Sequence, residues 1–363
     1  MPDIFKLFRD NLQRYRFRLV LITACFWTLV DMLFLVMTFD DIFIPKIAPH
    51  LVDPGLLLWR TVVVFFLSFA TAYLMVYKLR NIYFSKGFFV RFIYRSLLIL
   101  GFVLIYCLLI GTIHLMYNDQ ENLFNAVPAA VMIMFRTNWF IIKLVFWLIV
   151  YFGTLVMYEV YEKYAPGTFF RILTGRYRTP QQENRIVMFI DLKDSTPIAE
   201  KLGHEAYFHF IRDFILDLST ALVENRGIIY QYVGDEIVVS WTTNPKNVKR
   251  CIRSLVEARR LVQKDGDHYR REYGINPEFR CGIHTGMVTI GEIGLVKKDL
   301  AMSGDTMNTA ARIRSACNDF NEKFLLSEDF LKLSDLKDFQ VKFLGNVELK
   351  GKSAEIKLYA LQV

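Results

Sequence analysis

Arg185-Ile-Val-Met-Phe-Ile-Asp-Leu-Lys-Asp-Ser-Thr196 and Tyr230-Gln-Tyr-Val-Gly-Asp-Glu-Ile237 decide how the second half of this 363-residue chain is read. The first is an apolar run of strand length that ends on Asp191 and passes into a helix start at Asp194, Ser195 and Thr196. The second is a pair of apolar runs around Val233-Gly234-Asp235-Glu236, which predicts a hairpin whose turn carries a carboxylate. Elements in the order strand, helix, strand, strand, helix, strand predict an α+β, ferredoxin-like (βαββαβ) sheet. In such a sheet the end of the first strand lies beside the start of the third, so Asp191 and Asp235 become neighbours. Two carboxylates held above a helix N-terminus can carry Mg²⁺ ions and the phosphates of a nucleotide, because metal and helix amides both offset phosphate charge. The competing reading is an N-cap and a turn aspartate, each solvated.

The other half of the chain has a different solvent. Hydrophobic residues make up 53% of the sequence and the mean hydropathy is +0.27, too apolar for a chain soluble throughout. The excess lies before residue 161. It predicts an α-helical membrane bundle of four spans, about Phe17 to Phe39, Leu56 to Tyr77, Phe92 to Tyr117 and Trp139 to Tyr161, each near the ~20 residues a bilayer requires. The expected organisation is a four-helix transmembrane domain over 1–161, a coupling linker over 162–182 and a catalytic domain over 183–363. Lys6, Arg9, Arg14, Arg16 and Arg18 precede the first span, and Lys78, Arg80, Lys86 and Arg91 separate the second from the third. Asp40-Asp41 and Asn118-Asp119-Gln120-Glu121 lie on the other side, which predicts a multi-pass protein of the cell (inner) membrane with both termini in the cytoplasm. The formal charge of +8 clusters beside the spans, so it points to anionic lipid as a partner and away from nucleic acid. Cys25, Cys107, Cys251, Cys281 and Cys317 show no metal-ligand spacing and nothing asks for disulfides. No signal-peptide pattern opens the chain, so the N-terminus reads as retained.

Asp31, Arg60, His114 and Lys143 interrupt the spans. Two arrangements satisfy charges at that depth: a cluster of Asp31 with Arg60 or Lys143, completed by His114, or snorkelling of the three basic groups to the interface. A haem ligand at His114 has only a lone histidine in its favour. Between the bundle and the first strand, Glu159 to Pro180 carries Phe169, Phe170, Ile172 and Leu173 among Arg171, Arg176 and Arg178. Such a basic, apolar segment suits a coupler, a strip on the inner leaflet, or a tether.

Beyond the first strand, the spacing predicts a helix over Pro197 to about Asn225, a hairpin over Ile228 to Trp241, and a charged helix from about Asn247 to Tyr273. Phe279 to Glu292 reads as a second hairpin joined at Thr285-Gly286, with His284 as a structural histidine. In Ser303-Gly-Asp-Thr-Met-Asn-Thr-Ala-Ala-Arg-Ile313, Asp305 or Thr306 can cap a helix that sets Asn308 and Arg312 on one face at i and i+4. An amide and a guanidinium facing one way suit an oxygen that gains negative charge, and Arg offers forked donors to phosphate.

Over about residues 183 to 363 the chain resembles the class III nucleotidyl cyclases, the membrane adenylyl and guanylyl cyclases, in MFIDLKDST, QYVGDE, GIHTG, GDTMNTAAR and LKGK together. The resemblance implies that Asp191, Asp235 and the Leu192 backbone carbonyl hold two Mg²⁺ or Mn²⁺ ions per site. It implies further that amides around Leu192 to Thr196, with Ser195 and Thr196, and the Lys350 side chain bind phosphates. Asn308 and Arg312 match its transition-state residues, supplied by the opposite subunit of a head-to-tail dimer. A chain carrying both halves implies a homodimer. The implied activity is conversion of ATP to 3′,5′-cyclic AMP and pyrophosphate. At the base positions the chain departs from the family: Gln231 and Ala301 stand where adenylyl members usually place Lys with Asp or Thr, and guanylyl members Glu with Cys. Gln can donate to adenine or accept from guanine, so GTP or a pyrimidine nucleotide stays open beside ATP. Four spans also depart from the six of many membrane members. A diguanylate cyclase shares the palm-like sheet but lacks Asn-x-x-x-Arg and LKGK, and a receptor or transporter with a degenerate cyclase module would not need intact metal and phosphate positions.

Overall fold

The computed structural model describes residues 4–37, 54–79, 88–118, 120–136, 138–163, 174–296, 299–333, 336, 339–348 and 355–362. The chain divides into two compact units, Met1–Glu162 and Lys163–Val363.

The first unit holds helices α1 (Ile4–Met37), α2 (Pro54–Tyr73, continuing as a π-helical turn over Leu74–Leu79), α3 (Phe88–Asn118), α4 (Leu123–Arg136) and α5 (Trp139–Lys163). Four of them contain stretches long and apolar enough to cross a membrane, Arg16–Leu35, Leu57–Tyr77, Ser96–Met116 and Phe140–Tyr158. The sequence did not predict α4. At 14 residues it reaches only ~21 Å, short of a bilayer's ~30 Å core, and it packs by small residues, with Ala130 against Gly111 of α3.

Each long helix contributes one side chain to a buried polar cluster. Asp31 of α1 accepts from Arg60 of α2 at 2.9 and 3.2 Å, from the Tyr106 hydroxyl of α3 at 2.7 Å and from Lys143 of α5 at 3.4 Å. Arg60 also donates to the Tyr106 hydroxyl at 2.9 Å, and the Lys143 ammonium lies 4.0 Å from the centre of the Phe34 ring. Arg60 and Lys143 therefore pair rather than snorkel. His114 is not among the partners of Asp31, so the cluster is completed by Tyr106 instead. Asp31 is the single acid against two cations, and removing one partner of a buried pair typically costs ~3–5 kcal/mol. Asp31→Asn is accordingly expected to lower the unfolding temperature of the detergent-solubilised chain sharply; an unchanged midpoint would show the cluster to be dispensable.

The second unit is built on one sheet in the order β2-β3-β1-β4-β6-β8-β7, with β5 paired to β4. Its strands are β1 (Gln181–Leu192), β2 (Ile228–Val233), β3 (Glu236–Thr242), β4 (Phe279–Ile293), β5 (Asp299–Ser303), β6 (Phe324–Ser327), β7 (Gln340–Glu348) and β8 (Glu355–Gln362). The first four stand in the expected order, with β1 antiparallel to both β3 and β4. Because side chains alternate along a strand, β1 buries Ile186, Met188 and Ile190 on one face and Val187 and Phe189 on the other. Helices α6 (Ser195–Leu202), α7 (His204–Glu224), α8 (Pro245–Lys264) and α9 (Gly266–Tyr273) follow β1 and β3. Of these, α7 through Phe210, Phe214 and Leu218, and α8 through Ile252 and Leu255, pack with the first set. Helix α10 (Asp305–Ala316), through Met307 and Ala310, covers the second; α11 (Glu328–Lys332) follows β6.

Three predicted elements come out differently. The helix after β1 breaks at Gly203 (φ +74°), and the charged helix breaks at Asp265, ahead of Gly266. Phe279 to Glu292 is one continuous strand, not a hairpin. Gly286 is there to admit α10: a Cβ on it would stand 2.6 Å from the Thr306 hydroxyl, and one on Gly282 would stand 2.2 Å from the backbone nitrogen of Arg314. The two glycines of GIHTG are thus the seat of α10. His284 between them is structural as expected, its Nδ1 2.8 Å from the Ser327 hydroxyl.

Candidate active site

Strand parity builds the site. Asp191 follows Val187 and Phe189 onto the α10 face, and across the β1–β3 pair Ile190 faces Ile237, which sets Glu236 beside Asp191. Gly234, at φ +62°, makes the tight β2–β3 turn, a conformation that suits a residue without Cβ, and Asp235 follows it. The Asp235 carboxyl lies within hydrogen-bonding reach of Asp191, so the predicted neighbourhood of the two acids is present. On the α10 side, Arg314 spans two carboxylates: Nη1 is 3.1 Å from Asp191 and Nη2 is 2.6 Å from Glu236.

Beyond β1 the chain turns through Lys193 and Asp194. The Lys193 amide donates to the Glu278 carbonyl at 2.8 Å and its ammonium pairs with the Glu278 carboxylate at 3.2 Å, which fixes the turn. Asp194 takes the left-handed conformation (φ 58°), and its side chain does not cap α6. Ser195 and Thr196 open that helix, where free amides point out of the first turn. Tyr207 of α7 bonds to Ser195; burial, then the Asp235 carboxylate, pushes its hydroxyl above the usual range.

On α10 the expected cap is replaced. Gly304, at φ 136°, precedes the helix, no side chain caps it, and the Thr306 hydroxyl donates to the Met287 carbonyl at 2.7 Å. Asn308 is exposed and Arg312 half-buried, and among the described residues neither makes a hydrogen bond or ion pair. Gln231 is exposed on β2 and Ala301 half-buried on β5. Between them Tyr230 occupies a bulge in the β2–β3 ladder, and its hydroxyl accepts from the Met302 amide at 2.9 Å, tying together the strands that carry Gln231 and Ala301. Lys350 lies outside the described residues, as does most of the linker, residues 164–173. Arg314, Glu236, Tyr207 and Tyr230 were not singled out from the sequence; each acts through packing across the sheet, which spacing along one element does not register.

The donor set can be tested for a metal. Asp235 Oδ2 is buried with no hydrogen-bond partner, a lone pair that burial leaves uncompensated unless a cation takes it. Among the described residues no group of three or more His, Cys, Asp and Glu side chains forms a cage. Two aspartates and a main-chain carbonyl suit instead a hard cation that keeps most of its shell for water and phosphate. Burial first, then the Asp235 and Glu236 carboxylates, pushes Asp191 up to about 6, against the pull of Arg314. Below that pH a cation must displace a proton from Asp191, and above it the carboxylate is free to bind. Mn²⁺ affinity is therefore expected to fall roughly tenfold per unit below about pH 6 and to level off above; a flat profile would contradict the environment described.

The model of the adenylate and guanylate cyclase catalytic domain matches residues 178–363. The chain belongs to this family. Adenylate cyclase 2 of Rhizobium meliloti (strain 1021) is 31% identical over 205 residues, covering 56% of this chain and 56% of that protein. Adenylate cyclase of Anabaena cylindrica is 22% identical over 217 residues, covering 56% and 43%. The cyclase fold is also that of a bacterial light-regulated adenylyl cyclase, 17% identical with a TM-score of 0.52 over 59% of this chain and 63% of that one. The chain spans about half the length of the curated relatives it matches. The cyclase unit is thus the part with kin in these comparisons, and the span-rich half lies outside the matched family region.

Proposed function

We propose that this cyclase is attached to the cell membrane by its four long apolar helices and converts ATP to 3′,5′-cyclic AMP and pyrophosphate as a homodimer with two equivalent sites. The observation that carries the reading is the acid pair at the entrance to α6, with one buried Asp235 oxygen unpartnered. Asp191, Asp235 and the Leu192 carbonyl would hold two Mg²⁺ or Mn²⁺ ions. When bound, these ions supply charge neutralisation at the phosphates and lower the pKa of the ribose 3′ hydroxyl. The amides around Leu192 to Thr196 and the Ser195 hydroxyl receive the outer phosphates, with Lys350 as a further phosphate contact. The 3′ oxygen forms its bond to the α-phosphorus as the bond to the bridging oxygen breaks; the hydroxyl proton passes to solvent and pyrophosphate leaves. The partner's Asn308 and Arg312 face the oxygens that gain charge, which accounts for side chains left without contacts in their own chain.

ATP is favoured by the relatives named adenylate cyclase. GTP is the second reading, because Gln231 and Ala301 impose neither the donor nor the acceptor of a dedicated base pocket. Purified full-length chain with Mn²⁺ and each nucleoside triphosphate in turn decides: cyclic AMP as the main product supports the proposal, cyclic GMP replaces ATP with GTP, and no cyclic product from any of them refutes the enzyme reading.

A further inference from the structure

The Arg314 guanidinium sits where a cation would be drawn by this cluster, and its placement is built in rather than incidental. The backbone of α10 rests on Gly282 at Arg314 itself, so close that any Cβ on the strand would collide with the Arg314 nitrogen. That contact delivers the side chain over the acids, and strand parity turns both Asp191 and Glu236 toward it. The fork then closes on one oxygen of each: Asp191 Oδ2 at 3.1 Å and Glu236 Oε2 at 2.6 Å. Arg314 remains about a quarter exposed, so the side chain has a route to solvent.

We propose that Arg314 is an internal competitor for the divalent cation, a latch on the acid pair that must swing away before Asp191 can take a metal. The inference rests on the metal reading of Asp191 and Asp235 given above. A Mg²⁺-like ion takes a carboxylate oxygen at about 2.0–2.1 Å, so a guanidinium still holding that oxygen would face the doubly charged ion within about 4–5 Å. Unlike charges bind the acids one at a time here: either the arginine or the metal. Asp235, which Arg314 does not touch, stays open as the point of entry. Because the latch is on the helix that carries Asn308 and Arg312, loading one acid pair also releases a restraint on the catalytic helix of the same chain. In a head-to-tail dimer that helix serves the other site.

Mn²⁺ titrated into the full chain in detergent micelles at about pH 8, with free Mn²⁺ read by electron paramagnetic resonance, tests this without turnover. Arg314→Gln is expected to bind about tenfold more tightly than wild type, the weight of a charge-assisted hydrogen bond. Arg314→Lys, which keeps the charge and the fold but cannot fork across two carboxylates, is expected to fall between them. Wild type that binds Mn²⁺ with both variants binding no better overturns the latch and leaves the metal site standing. No Mn²⁺ binding by any of the three overturns the metal reading and the latch with it.

Discussion

Asp235→Ala is expected to abolish cyclic-nucleotide formation while the cyclase unit keeps its fold. The two halves of that expectation have separate causes. Asp235 Oδ2 is buried and unpartnered, so alanine removes an unsatisfied polar atom instead of breaking a bond, and the unfolding midpoint should hold or rise slightly. The same oxygen is the free lone pair of the proposed metal site. Losing the cation forfeits several kcal/mol of charge stabilisation, which at ~1.4 kcal/mol per decade is a loss of at least about a thousandfold. Product formation and thermal unfolding measured on one preparation check both; a variant that is stable and still active would remove Asp235 from the chemistry.

Arg312→Ala carries the second largest effect. Arg312 makes no hydrogen bond or ion pair among the described residues, so its loss should leave stability unchanged. A donor aimed at an oxygen that becomes charged only in the transition state is worth about 10²–10³ in kcat, with KM moved far less. Arg312→Lys should recover little, since an ammonium cannot present the planar fork. An equal change in KM with kcat intact would instead make Arg312 a substrate-binding residue.

Much of this was legible because it depends on periodicity. The apolar run Ile186 to Ile190, ending on Asp191, and the turn at Gly234-Asp235 define two antiparallel neighbours, and the strand order that follows brings their ends together. Asp31, Arg60 and Lys143 could be paired from their depth alone, since a lone acid in an apolar bundle must find a cation. Tyr106 could not, because a tyrosine in a span reads as apolar filler until its hydroxyl is seen on Asp31. Thr285-Gly286 looked like a turn for a local reason, and proved to be the flat floor on which α10 rests, a requirement set by a segment twenty residues on. Thr306 looked like a cap for the same local reason, and its hydroxyl is claimed by Met287 across that contact. Arg314 was hidden most completely. Nothing in its spacing from Asn308 or Arg312 marks it, and only the seating of α10 on Gly282 brings it onto Asp191.

Mixing chains tests the shared site most directly. Asp191→Ala and Asn308→Ala are each inactive alone if every site takes its acids from one chain and its amide from another. Mixed in equal amounts and allowed to exchange subunits, half of the dimers hold one chain of each kind, and each of those has one intact site. Activity is then expected to return to about a quarter of wild type, with neither parent contributing. A mixture as silent as its parents, after subunit exchange has been demonstrated, would contradict the assembly of the site across two chains.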